Sequence, residues 1–116
     1  MNENEKQVLL RAERIAELSL RLVGGRGLNG RIIAVGIDDF STMVSKINTE
    51  AFIYKKSYNC SKSNDEIFRL ANAMVRHANN FCRSRVPLSR FSCFAKELRA
   101  ATEAYNDYIL QQNANQ

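Results

Sequence analysis

The chain has 116 residues, which fits one domain. Hydrophobic residues make up 45% of it, which excludes a disordered, charge-dominated chain, and a domain of this size can hold a core without disulfide bonds or metal. The net charge of +5 favours an anionic partner and identifies none.

The first predicted element is a helix over residues 3–23. Apolar side chains recur there three or four residues apart, which is the spacing of one helix face. Glu3 and Glu5 lie where the helix dipole favours negative charge. Gly24 and Gly25 are expected to end the helix, because glycine accepts left-handed backbone angles.

Residues 31–58 allow two interpretations. Their apolar side chains alternate as in a strand and also recur at helical spacing. We predict a helix over 39–47. Strand and helix both stay open for 31–37 and 50–58, and a short two-stranded element within 31–58 is one outcome.

Two further helices follow. Ser63 and Glu66 match a capping box, after which apolar residues keep the helical spacing for four turns. Pro87 closes this run and suits the first turn of the last helix. That helix carries its apolar face through Ile109, and the polar residues 111–116 are expected to fray.

The predicted fold is mainly α, a compact bundle of four or five helices forming a single domain over residues 1–110. No apolar run approaches the ~20 residues that span a bilayer, and the acidic N-terminus is unlike a secretory signal. The three cysteines are odd in number and lack C-x-x-C spacing, which is typical of free thiols in a reducing compartment. We therefore expect a cytoplasmic protein without membrane contact.

One string matches a cofactor-binding motif. Residues 25–30 read G-x-G-x-x-G, which in dinucleotide-binding proteins leaves a strand and opens a helix. Here the string follows a helix, so we interpret it as a flexible turn and expect no cofactor. Contact between its backbone amides and an anion, assisted by Arg26 and Arg31, is the weaker alternative.

Metal-binding and catalytic patterns are weak. Only Cys60, His77, Cys82 and Cys93 offer soft ligands, and their spacings differ from the short, fixed pairs of a structural zinc site. No third group is indicated that would orient His77 as a base for a thiol. We predict no bound metal and no enzymatic activity. A small enzyme that uses Cys82 or Cys93 with His77 is the weakest alternative.

The positive charge is concentrated in one third of the chain. Residues 61–99 carry eight positive and three negative side chains, a charge equal to that of the whole protein. Arg69, Arg76 and Arg83 recur every seven residues, on one helix face, with asparagines between them. Arginine suits phosphates and asparagine suits adenine. The candidate binding residues are Arg69, Asn72, Arg76, Asn79, Arg83, Arg85, Arg90, Lys96 and Arg99.

These residues suggest a non-catalytic basic binding protein whose helical face within 69–99 engages an anionic partner, above all nucleic acid. Solvation of an ordinary polar helix face would explain the same charges, and no known nucleic-acid-binding string is present. The alternative function is an interaction adaptor or inhibitor that docks on an acidic surface of a nucleic-acid-handling protein, as in accessory proteins of mobile elements. A homodimer is also an open alternative.

Overall fold

A computed structural model describes residues 2–35, 40–61, 65–84 and 92–114. Within these ranges the chain forms four helices and one short hairpin. The helices are α1 (Glu3–Val23), α2 (Phe40–Ser61), α3 (Glu66–Arg83) and α4 (Cys93–Ala114), and the strands are β1 (Gly25–Arg26) and β2 (Ile32–Ile33).

This architecture confirms the predicted mainly α bundle with a small two-stranded element. The helix expected over 39–47 falls within α2 from residue 40 onward, and residues 50–58 are also helical. The antiparallel partner of β2 is β1, which precedes the range in which the two-stranded element was expected. No helix in the described ranges is both long enough and apolar enough to cross a membrane.

Other boundary predictions concern the starts and ends of the later helices. The N-cap of α3 is Asp65, so the helix begins two residues later than a cap at Ser63 requires. Ser63 and Pro87 themselves lie outside the described residues. Helix α4 continues to Ala114 and so includes part of the predicted polar tail, residues 111–116, whose fraying stays a prediction.

Helix α1 spans the residues predicted for it and is capped at both ends. The side chain of Asn2 accepts a hydrogen bond from the backbone N–H of Glu5 at 2.8 Å. At the other end Gly24 has a φ of 79°, and its N–H donates to the carbonyl of Leu20 at 2.7 Å. The left-handed angle at Gly24 stops the helix and turns the chain toward the hairpin.

The four helices surround one core. Helix α1 packs against α2, α3 and α4, and α3 also packs against α2 and α4. Each helix contributes side chains without solvent exposure, including Ile15, Ile47, Phe68 and Leu98. All four helices therefore share one core.

Strands β1 and β2 form an antiparallel hairpin directly after α1, with Gly25 paired to Ile33 and Arg26 to Ile32. Gly25 has a φ of 136°, and a Cβ atom at this position would lie 3.1 Å from the Cγ of Arg99. Glycine is therefore required where the hairpin passes close to α4.

The hairpin is fixed to α4 through Arg26. The backbone N–H of Arg26 donates to Glu103 Oε2 at 2.9 Å, and its Nη2 donates to Asp107 Oδ2 at 2.8 Å. Its carbonyl accepts a hydrogen bond from Asn106 Nδ2 at 3.0 Å. The hydrogen bond to Asp107 and then the charge of Glu103 raise the pKa of the Arg26 guanidinium, which stays charged.

Arg99 of α4 completes the C-terminus of α1. Its Nε and Nη2 atoms donate to the carbonyl oxygen of Val23 at 3.0 and 2.6 Å. Val23 is the last residue of α1, where carbonyls lack a donor within the helix and a cation is favoured by the helix dipole. The end of α1 therefore depends on a residue from the last helix.

Candidate anion-binding groove

Four of the predicted binding residues lie on one face of α3. Asn72, Arg76, Asn79 and Arg83 are four, three and four residues apart, which places them within about 60° around the helix. They cover roughly 16 Å along the helix axis. All four line a groove between α2 and α3, here named the α2–α3 groove.

The other wall of this groove comes from α2. The volume of the groove is about 410 Å³. Its complete lining is Ala51, Tyr54, Lys55, Tyr58 and Asn59 from α2, with Asn72, Val75, Arg76, Asn79, Asn80 and Arg83 from α3. This lining contains three cations and four asparagines, but no carboxylate.

Tyr54 sets the orientation of one of these asparagines. The Tyr54 side chain is 3% exposed, and its hydroxyl donates to Asn72 Oδ1 at 2.5 Å. Burial raises the pKa of this hydroxyl, so it stays protonated as the donor. Because the carbonyl oxygen of Asn72 is used in this way, its Nδ2 amino group is left as a donor. The Tyr54 ring is further held by a parallel stack with Tyr58, the two ring centroids lying 6.2 Å apart.

Arg76 and Arg83 supply the exposed positive charge of the groove. Neither side chain forms an ion pair with another described residue. Arg69, one helix turn before Asn72, differs because its guanidinium pairs with the carboxylate of Glu66 three residues earlier. That pairing lowers the pKa of Glu66, chiefly through the hydrogen bond from Arg69.

Two other predicted residues that the structure describes, Lys96 and Arg99, do not line the groove. Lys96 is exposed on α4 and does not line it. Arg99 is bound to the carbonyl of Val23 at the hairpin. Arg85 and Arg90 lie outside the described residues.

Sequence reasoning missed the α2 side of the groove. Lys55 and Tyr58 are one turn apart on α2, as helical periodicity would place them. While strand and helix were both open for 50–58, no face could be assigned to these residues. That α3 lies across the groove from these residues depends on tertiary packing, and a local sequence pattern gives no information about tertiary packing.

Several backbone amides of the glycine string already donate hydrogen bonds within the protein. The N–H groups of Gly27 and Gly30 donate to the carbonyls of Arg31 and Gly27 at 2.9 and 3.1 Å. The N–H of Arg31 donates to Asn29 Oδ1 at 3.0 Å. With Arg26 also held by α4, the geometry fits a structural turn rather than an anion-binding loop.

His77 forms no hydrogen bond with either described thiol, Cys82 or Cys93. Burial raises the pKa of the Cys82 thiol to about 11, which opposes formation of a thiolate. The Nδ1 atom of His77 lies 3.7 Å from Glu97 Oε2. No cluster of three or more His, Cys, Asp or Glu side chains suited to a metal ion occurs in the described ranges.

We expect iodoacetamide at pH 8 to alkylate Cys82 at least tenfold more slowly than Cys93. Cys82 is partly buried with a raised pKa, whereas Cys93 is exposed, and the thiolate is the form that reacts. Peptide mass spectrometry over time measures both rates in one sample, and unfolding in urea should bring the two rates together. Equal rates in the folded protein would contradict this burial of Cys82.

Comparison with known proteins gives no relative for this geometry, since no family model, curated protein or solved structure matches the chain. Function is therefore inferred from the residues that line the groove.

Proposed function

We propose that the protein is a non-catalytic nucleic-acid-binding protein whose α2–α3 groove holds a single strand. The observation that supports this proposal is a groove lined by three cations and four asparagines, with no carboxylate. Phosphates contact the cations, and base edges contact the asparagine amides.

The donor chemistry of the groove suits an acceptor-rich ligand. Arginine presents a planar fork of donors that matches phosphate oxygens, and Arg76 and Arg83 are both exposed for such contacts. Asn72 faces the ligand with its amino group, because Tyr54 occupies its carbonyl oxygen. Asparagine amides can also hydrogen-bond to the edges of bases. A simple anion, which lacks the acceptors of a base edge, would leave the asparagine amides of the groove without a hydrogen-bond partner.

The recessed position of α3 favours a single strand over a duplex. A helix that reads the major groove of a duplex enters a groove about 12 Å wide and must therefore project from its domain. Helix α3 instead packs against α1, α2 and α4. The binding residues form a channel between two helices, which is the shape that a flexible strand can follow.

The test is a titration of the full chain with a short labelled single strand and with the matching duplex, followed by fluorescence anisotropy. Three phosphate contacts, one for each cation of the groove, predict that log K falls with log salt with a slope of about −2 for a single strand. Measurements between about 50 and 200 mM salt define that slope. We expect the single strand to bind more tightly than the duplex.

Two outcomes would contradict the proposal. Tighter binding of the duplex would reject the single-strand assignment. No binding of either nucleic acid, together with salt-dependent binding of an acidic polypeptide such as polyglutamate, would favour the adaptor or inhibitor function instead.

A further inference from the structure

A second cavity lies between α1, the hairpin and α4. Its volume is about 290 Å³, at the lower limit of small-molecule sites. We name it the hairpin pocket. Its lining is Glu13, Ala16, Glu17 and Leu20 from α1, Gly27, Leu28, Asn29 and Ile33 from the hairpin, and Asn106 from α4.

The charge of the hairpin pocket is opposite in sign to that of the α2–α3 groove. Glu13 and Glu17 lie one turn apart on α1, are exposed, and form no ion pair with a described residue. Arg26, the cation fixed beside the pocket, is held by the carboxylates of Glu103 and Asp107. The two glutamates therefore keep an uncompensated negative charge at this cavity.

Asn106, which lines the pocket, also carries a buried acceptor without a donor. Asn106 is 1% exposed, and its Nδ2 donates to the carbonyl of Arg26 at 3.0 Å. That hydrogen bond fixes the orientation of the amide, because a carbonyl can accept only from the amino group. The Oδ1 atom of Asn106 has no hydrogen-bond partner among the described residues. Buried acceptors are normally satisfied, so this atom calls for a donor.

We propose that the hairpin pocket binds a small alkylguanidinium cation. Its charged head is attracted by Glu13 and Glu17, and one of its N–H groups donates to Asn106 Oδ1. Its alkyl part contacts the apolar wall formed by Ala16, Leu20, Leu28 and Ile33. A guanidinium fits because its N–H donors are spread over several nitrogen atoms in one plane and can reach separate acceptors. An ammonium donates from a single nitrogen atom.

This site is independent of the proposed function of the α2–α3 groove. The two cavities share no lining residue, and neither α2 nor α3 lines the hairpin pocket. Failure of nucleic-acid binding would leave the cation site intact, and failure of cation binding would leave the groove intact.

The experiment is isothermal titration of the full chain with n-butylguanidinium chloride, compared with n-butylurea, which is similar in shape and uncharged. Glu13→Gln with Glu17→Gln is expected to weaken guanidinium binding at least tenfold. The matched control is Glu3→Gln with Glu5→Gln, which removes the same charge from the first turn of α1 and should leave binding within twofold. Thermal melts confirm that each variant is folded.

A second readout does not depend on any variant. Donation to Asn106 Oδ1 should shift the side-chain amide resonances of Asn106 in a ¹⁵N–¹H spectrum on addition of n-butylguanidinium, and n-butylurea should not. A blocked peptide with a single arginine separates the two sources of the cation. Saturable binding of the peptide identifies a protein side chain as the source, and binding of the small cation alone identifies a free metabolite.

Three results would overturn the proposal. They are equal binding of n-butylurea, no saturable binding of any guanidinium probe, and equal loss of binding in the control variant. The first would show that charge is not recognised, and the third would show that only the overall charge of the protein matters.

Discussion

The double substitution Arg76→Gln with Arg83→Gln should weaken binding of single-stranded nucleic acid about thirtyfold at ~0.1 M salt. Both guanidinium groups are exposed on the groove and form no ion pair with another described residue, so each is available to a phosphate. An exposed ion pair contributes up to about 1 kcal/mol, and ~2 kcal/mol corresponds to roughly thirtyfold in affinity. The salt slope should fall from about −2 to about −0.7, because Lys55 alone would remain.

The matched control for this pair is Lys6→Gln with Arg31→Gln. It removes the same charge from exposed positions on α1 and the hairpin, neither of which lines the α2–α3 groove. In the control, the affinity should change less than threefold and the salt slope by less than ~0.3. Fluorescence anisotropy measures both quantities. An equal loss in both variants would mean that the protein attracts nucleic acid through its overall charge and not through this groove.

Arg99→Met should lower the free energy of unfolding by about 2 kcal/mol and leave the affinity for a single strand within twofold. The substitution keeps an apolar stem and removes two charge-assisted donors from the carbonyl of Val23, which lie at 3.0 and 2.6 Å. Hydrogen bonds from charged groups contribute about 1.5–3 kcal/mol, and a carbonyl left without its donor adds a cost. For a domain of this size the melting temperature should fall by roughly 8 °C.

Urea denaturation and a thermal melt measure this loss of stability. Lys96→Met is the control, because Lys96 is exposed about one turn away on the same helix and does not line the groove; it should change the free energy of unfolding by less than ~0.5 kcal/mol. If Arg99→Met instead weakened nucleic-acid binding at unchanged stability, Arg99 would belong to the binding surface, as the sequence suggested.

The sequence predicts well those features that depend on neighbouring residues. The end of α1 at Gly24 follows from the backbone freedom of glycine. The shared face of Arg76 and Arg83 follows from their seven-residue spacing on α3. Even the pairing of Arg69 was accessible, because a glutamate three residues earlier is a local signal.

The features that were missed depend on residues distant in the sequence. Arg99 and Val23 are 76 residues apart, so no periodicity relates them. The strand partner of Ile33, by contrast, is Gly25, only eight residues earlier; this pairing was missed because the glycine string was interpreted as a turn alone. Arg99 was assigned to a binding face because a charge count gives the sign of the net charge of a region. It does not show which residue each charged side chain contacts.

The attachment of the hairpin to α4 also bears on how the chain acquires its structure. The contacts of Arg26 with Glu103 and Asp107 span 77 and 81 residues. During synthesis the hairpin and the end of α1 therefore lack these partners until α4 has left the ribosome. Such long loop closures slow folding and are formed late. The hairpin should thus dock only once α4 has been made, and a fragment that stops before α4 should be recognised by chaperones and proteases as incompletely folded.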